Sequence, residues 1–411
     1  MKKSAALFFC ALVLVSAAFA GEGATPAGIP HLDHVFLIVM ENHGYGQIIT
    51  NPNASFTNQY ANYANSATNY FAIGHPSLTN YLEIVGGSNF GVRSDNNTDW
   101  HNLTCISNIV AKTVNTDNPP SPNICPISGV GRDAETPVVD STNETTGFPP
   151  ENDIDGIQHV SPAFGTAGKT IADQLVAWGH SYKSYQESLP LAGANNVAYS
   201  DGFYVDTTDF TQILPTLNPP LSQGDVVHLY ASKHNPFVYF QNVQEGTEPG
   251  NTLANTVGFE ALYGDLGSGN VPSFSFIVPN QCNDQHGRGN AGAFCNFDPS
   301  DVGNQAGLNP ALIYLGDVTL QRIVTAIKAS PAWSNGKNAI VIVWDENDYS
   351  LAPNINQVLL TVDTNYGTHG TKSGQFYTHF SLLKSLESGF GLPCLNHACD
   401  EKVSVMGDLF K

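Results

Sequence analysis

Two apolar runs, HVFLIVM at His34–Met40 and NAIVIVW at Asn338–Trp344, constrain this fold more than anything else in the chain. Each gives way at once to polar groups: Glu41-Asn42-His43 after the first, Asp345-Glu346-Asn347-Asp348 after the second. A strand with one wet face alternates in polarity. A strand that hardly alternates is covered on both faces, as in a parallel sheet between helices. Ligands of such sheets bind beyond the carboxyl ends of the strands, where both polar clusters fall. A third case is Val271–Val278, followed by PNQCNDQH with Asp284 and His286.

Helical stretches separate these runs. One covers Phe56–Ser66. Another follows Pro76, with an apolar stripe of Leu78, Tyr81, Leu82 and Val85, and stops at Gly86-Gly87. Further helices are expected at Thr170–Gly179, at Leu312–Ala329 ahead of Pro331, and at Tyr377–Ser388 ahead of Gly389. Ser181–Glu187 and Gln357–Val362 read as strands, and Leu229–Phe240 as part loop, part strand. The alternation predicts an α/β protein, a three-layer α/β/α sandwich with a central, mostly parallel sheet.

With 411 residues, 41% of them hydrophobic, the chain can bury a large core. Its formal net charge of −20 argues against nucleic acid and against an electrostatic hold on anionic lipid. Residues 1–20 read as a secretory signal peptide: Lys2-Lys3, an apolar stretch from Ala5 to Ala17, and a small-x-small site ending at Ala20. No later run is long and apolar enough to anchor the chain in a membrane, so a secreted or periplasmic protein is expected. Six cysteines follow in three neighbouring pairs, and the simplest guess is Cys105–Cys125, Cys282–Cys295 and Cys394–Cys399. Residues 21–411 are read as one domain. Asp95–Pro162, rich in Asn, Asp, Thr, Pro and Ser, is an irregular insertion or lid within it.

Acids at three strand ends would converge on one edge of the sheet. They repel each other unless a cation lies between them. Glu41, Asn42, Asp345 and Glu346 are therefore candidate ligands of a divalent metal. Oxygen donors suit Mg²⁺, Ca²⁺ or Mn²⁺, and added histidine suits Zn²⁺ or Fe. Ser77 opens a helix, where free N–H groups favour an anion. It is a candidate nucleophile, with the plain N-cap as the competing reading. Asn80, one turn on, is placed to donate its amide to a phosphoryl oxygen. Neither a GxSxG elbow nor a GxxxxGK[ST] loop is present.

Taken in order, ENH (Glu41–His43), HPSLTNYL (His75–Leu82), KHNPF (Lys233–Phe237), PNQCNDQH (Pro279–His286), VWDEND (Val343–Asp348) and YTHFSLLKSLE (Tyr377–Glu387) resemble one family. It is the phosphoesterase family of bacterial and fungal phospholipases C and acid phosphatases, related in fold to the alkaline phosphatase superfamily. The continuation His43-Gly44-Tyr45 departs from the basic or aromatic one that many members show. The resemblance implies that Glu41, Asn42, Asp345 and Glu346 bind one divalent metal together with Ser77, the nucleophile; a second metal is possible. Thr79 is the rival nucleophile. The resemblance also gives His286, His379 and His234 roles in stabilising the phosphoryl group or protonating the leaving group, with His75 and His369 as further candidates. The expected activity is that of an exported metal-dependent phosphoric ester hydrolase, of acid phosphatase or phospholipase C type, working through phosphoserine. Its substrate would be a small phosphate ester or a phospholipid head group. The alternatives are a sulfatase or phosphonate hydrolase, although the C-x-P-x-R signature is absent, and an inactive exported binding protein.

Overall fold

The structure is a computed structural model and describes residues 22–90, 95, 168–189, 229–289, 291–300, 303–348 and 356–411. The proposed signal peptide, nearly all of the 95–162 insertion and the Cys105–Cys125 pair lie outside those residues.

Ten strands are described: β1 His34–Met40, β2 Asn65–Ala67, β3 Tyr70–Phe71, β4 Tyr182–Gln186, β5 Thr256–Val257, β6 Phe274–Val278, β7 Asn338–Trp344, β8 Leu360–Thr364, β9 Lys372–Ser373 and β10 Tyr377–Thr378. The α-helices are α1 Tyr45–Ile48, α2 Ser55–Tyr63, α3 Ser77–Gly86, α4 Ile171–Ala177, α5 Gln241–Glu245, α6 Phe259–Ser268, α7 Pro310–Ala329 and α8 His379–Phe390. The main sheet runs β5-β4-β6-β1-β7-β8-β2-β9, and β3 pairs with β10 apart from it. In the main sheet only β8 runs against its neighbours β7 and β2; the other pairings are parallel. Every residue from Val35 to Met40 is fully buried, so both faces of β1 are covered. Helices α3, α4 and α8 pack together, and α2, α6 and α7 form a second group. This is the three-layer sandwich that the apolar runs predict.

Local chemistry moved several boundaries. Leu229–Phe240 holds no regular strand but two 3₁₀ turns, Ser232–His234 and Pro236–Tyr239. Pro236 lacks a ladder donor, and the Asn235 amide tethers the turn to Tyr230 and Thr256. Tyr377-Thr378 pairs with Tyr70-Phe71 as a short strand, so α8 starts at His379. Gly389 does not end that helix. It lies inside it because a Cβ there would come within 2.7 Å of Leu32. Gly391, at φ 71°, makes the left-handed C-cap instead. The strand expected at Gln357–Val362 begins only at Leu360, since Val358 N–H is spent on the Tyr70 carbonyl. Disulfides Cys282–Cys295 and Cys394–Cys399 are formed as guessed. Among the described residues no helix is long and apolar enough to cross a membrane.

Glu387 of α8 is fully buried, and its Oε1 accepts from Leu395 N–H at 2.7 Å. Burial pushes its carboxyl well above the ordinary range. Above that ordinary range the unfolded chain has lost this proton and the folded chain keeps it. Stability therefore falls as pH rises, by about 1.4 kcal/mol per pH unit. Glu387→Gln keeps the acceptor and removes the titration. The variant should melt above the wild type at neutral pH, and the gain should vanish near pH 4, as measured by calorimetry across that range.

Candidate active site

The register of the central strands builds the site. Met40 pairs with Trp344, so Glu41 and Asp345 leave the sheet side by side, and Asp345 N–H donates to the Met40 carbonyl at 2.9 Å. On the other flank of β1, Glu41 N–H donates to the Asp284 carbonyl at 2.8 Å. The loop after β6 is fixed by Gln285, whose Oε1 accepts from Trp344 Nε1 at 3.0 Å and whose Nε2 donates to the Ile313 carbonyl at 2.9 Å. Gln285 lies so close to α7 that a Cβ on Gly316 would come within 2.3 Å of it.

The side chains of α3 meet these strand ends. Ser77 Oγ donates to Glu346 Oε1 at 2.7 Å and lies 3.2 Å from Glu41 Oε2. Glu346 Oε2 accepts from Asn80 Nδ2 at 3.2 Å and pairs with His75 Nδ1 at 2.5 Å. Glu41, Asp345 and Glu346 offer oxygens all within 4.8 Å of one another. Glu41 and Asp345 are wholly buried and Glu346 is 5% exposed. Burial, then the charges of Glu41 and Glu346, push the Asp345 carboxyl well above the usual carboxylate range. Its Oδ2 is buried with no hydrogen-bond partner. An orphaned oxygen among repelling carboxylates is what a divalent cation satisfies, so these residues fit the metal expected of them.

A second set of groups carries positive charge to the same place. His234 Nε2 lies 3.0 Å from Glu41 Oε1, and its Nδ1 lies 3.3 Å from Asp284 Oδ2. The Tyr81 ring stacks on it at 5.3 Å. Burial alone would strip the His234 proton, but the Glu41 charge and the bonds to both acids hold its pKa at about 10. Burial likewise works to raise Glu41, and the His234 charge and hydrogen bond, with Lys233 and His286, hold it at about 2. His286 Nδ1 lies 2.9 Å from the Gly287 carbonyl, and its Nε2 lies 3.1 Å from Lys233 Nζ. Glu41, His234 and His286 form a second set of potential ligands within 4.8 Å.

The structure thus brings together Glu41, Ser77, Asn80, His234, His286, Asp345 and Glu346, and adds His75. It changes the standing of other candidates. Asn42 meets the site through its backbone, whose N–H donates to Asp345 Oδ1 at 3.2 Å. Both Asn80 amide protons are taken, by Glu346 and by the Gly74 carbonyl at 2.8 Å, so Asn80 positions Glu346. Both His379 nitrogens are taken too, by Tyr70 Oη at 2.8 Å and the Asp345 carbonyl at 2.6 Å. Burial holds that ring neutral, with a pKa of about 4. Thr79 Oγ1 is turned back onto the Pro76 carbonyl at 2.8 Å. His369 binds Asp363 at 3.0 Å. Asp363 pairs with Ile340, so His369 lies toward the other end of the sheet.

Sequence reasoning passed over Lys233 and Asp95. Lys233 Nζ, its side chain only 2% exposed, donates to Asp95 Oδ2 at 3.0 Å. The only signal for it was its place in KHNPF beside His234.

The profile of the Phosphoesterase family matches residues 47–295, a stretch that includes Ser77, His234 and His286. A phosphatidylinositol-3-phosphatase of Mycobacterium tuberculosis is 24% identical over 92% of this chain and 83% of its own length. An acid phosphatase of Aspergillus fumigatus is 23% identical over 80% of this chain and 48% of that protein, so the chain spans about half the length of this fungal relative. A solved protein of the alkaline phosphatase superfamily from Vibrio parahaemolyticus is 14% identical with a TM-score of 0.45, covering 95% of this chain and 72% of that one. With a profile match running over more than half of its length, the protein belongs to the Phosphoesterase family and is a hydrolase of phosphoric esters.

Proposed function

We propose that this is an exported, metal-dependent phosphatase that acts on a small phosphate monoester through Ser77 and a phosphoserine intermediate. The observation that carries the reading is the hydroxyl of Ser77, 2.7 Å from Glu346 and 3.2 Å from Glu41, at the first turn of a buried helix. Glu41, Asp345 and Glu346 would hold the metal, with Ser77 Oγ beside them. When bound, it supplies positive charge against the serine oxygen and the phosphoryl group. Export is supported by the amino-terminal segment and by the two disulfides, which belong to an oxidising compartment.

The chain's own residues divide the work. Glu346 accepts the Ser77 hydrogen and takes its proton as Oγ bonds to phosphorus. The bond from phosphorus to the leaving oxygen breaks in the same displacement, and that oxygen needs a proton. His234 is held as an imidazolium between two acids and supplies fixed charge. His379 is neutral and positions Asp345. The half-buried His286 is the acid we assign to the leaving oxygen, for which its Nε2 has to exchange Lys233 Nζ for that oxygen. Water, giving a proton to the His286 that lost one in the first step, then attacks phosphorus, the bond from phosphorus to Oγ breaks, and the Ser77 proton returns from Glu346 to Oγ. Lys233 and the first-turn amides of α3 receive the phosphoryl oxygens.

Ser77→Ala should lower kcat on p-nitrophenyl phosphate by about a thousandfold or more, and chelation should abolish activity that added Mg²⁺, Mn²⁺ or Zn²⁺ restores. Full activity in the variant would sink the nucleophile assignment. Asp345→Asn should lower metal content, read by mass spectrometry. In chelator the same variant should melt above the wild type, by about 1–3 kcal/mol, because a buried repulsion is gone. Turnover of the soluble monoester should exceed that of phosphatidylcholine; the reverse order would make the protein a phospholipase C.

A further inference from the structure

Asp95 bridges two donors close to the nucleophile's helix. Its Oδ1 accepts from Leu78 N–H at 3.0 Å, and its Oδ2 from Lys233 Nζ at 3.0 Å. Leu78 follows Ser77 in the first turn of α3, so its amide points at the space in front of the nucleophile. Lys233 Nζ also touches His286, and its charge is felt at Glu41 and Asp345. A phosphoryl group bonded to Ser77 must set its free oxygens against the nearest amide and the nearest ammonium. Those are the two donors that the Asp95 carboxylate spans.

The burial of the partners is unequal. Leu78 is fully buried and the Lys233 side chain is 2% exposed, while the Asp95 side chain is 29% exposed. The receiving groups are fixed in the core, and the anion that fills them stands at its edge. A carboxylate so placed can leave into water, whereas Lys233 cannot follow it.

We propose that Asp95 is a built-in competitor for the phosphoryl site, an internal anion that substrate must displace and that returns to expel product phosphate. This rests on the reading of Ser77 as the nucleophile. It adds a residue that weakens phosphate binding rather than one that promotes it. The contrary role for Asp95 is a structural one, capping α3 and steering Lys233. Its removal would then weaken phosphate binding.

The test is titration of orthophosphate into the purified wild-type chain, Asp95→Asn and Asp95→Ala by calorimetry, alongside phosphate inhibition of p-nitrophenyl phosphate turnover. Both variants should bind phosphate about two- to fivefold more tightly, the scale of a partly exposed ion pair, and KM should fall with it. Lys233→Met should weaken phosphate binding, and adding Asp95→Ala to it should recover only part of the loss, through the freed Leu78 amide. Unchanged or weaker phosphate binding in either variant, with a wild-type melting profile, overturns the proposal. If the wild type turns over substrate and neither variant tightens, the hydrolase reading stands and this one falls. Tightening in a chain that turns over no phosphate ester overturns the hydrolase reading and, with it, the role given to Asp95 in expelling product.

Discussion

Three carboxylates, Glu41, Asp345 and Glu346, are held together at the carboxyl edge of the sheet with almost no water around them. Left alone, such a cluster drives its members to take up protons or move apart. The members cannot move apart, because the backbone does not yield, and the Asp345 carboxyl is driven toward its protonated form instead. Glu41 and Asp345 extend adjacent parallel strands whose backbones are hydrogen-bonded up to that point, and a strand buried on both faces cannot tilt to relieve a repulsion beyond its last residue. The apolar runs therefore act as more than core. Their stability sets how much electrostatic strain the edge can hold, and that strain gives the site its demand for cations.

The surrounding residues answer the demand in two ways. His234 supplies a fixed positive charge by lying between Glu41 and Asp284, and Lys233 brings a second one close by. Other groups hold the acids still through hydrogen bonds. Asn80 and His75 hold Glu346, the Asn42 amide holds Asp345, and His379 holds the Asp345 carbonyl. Asn356 ties the Asn347 amide to the Gly74 carbonyl, joining the loop after β7 to the turn before α3. The partners come from several elements far apart in sequence. The site is thus assembled only when the whole sandwich closes, and the separation in sequence between Ser77 and Glu346 is of no consequence to its geometry.

What the sequence discloses follows the same physics. Burial on two faces leaves an unmistakable mark, so β1 and β7 and the acids that end them were legible residue by residue. Ser77 and Asn80 were legible because α3 begins with Pro76 and carries a clear apolar stripe. Partners across the fold leave no such mark. Nothing local distinguishes a histidine whose two nitrogens are spent, as in His379, from one that faces substrate. Lys233 is an ordinary basic residue in a polar loop until the fold buries it, and Asp95 is one acid among many in an irregular stretch. The turn at Ser232–Tyr239 was misread for a related reason. Its Phe and Val residues suit a strand, and only the contacts of Asn235 with Tyr230 and Thr256 show why the chain curls there.

The overall charge of −20 and the buried positive groups Lys233 and His234 pull in opposite directions on a phosphate, and distance decides between them. At physiological salt, exposed charges are screened over about 8 Å, so the acidic surface acts on a ligand mainly while it approaches. An extended anionic surface such as a membrane would meet many of those charges at once. A small ester with a single phosphate meets few of them, and then comes under Lys233, His234 and the first turn of α3, whose fields are not screened because they are buried. We read the pairing of an acidic chain with the buried Lys233 and His234 as favouring an anion small enough to come wholly under those two groups. On that reading a compact phosphate ester is the substrate we propose over a lipid surface bearing the same head group.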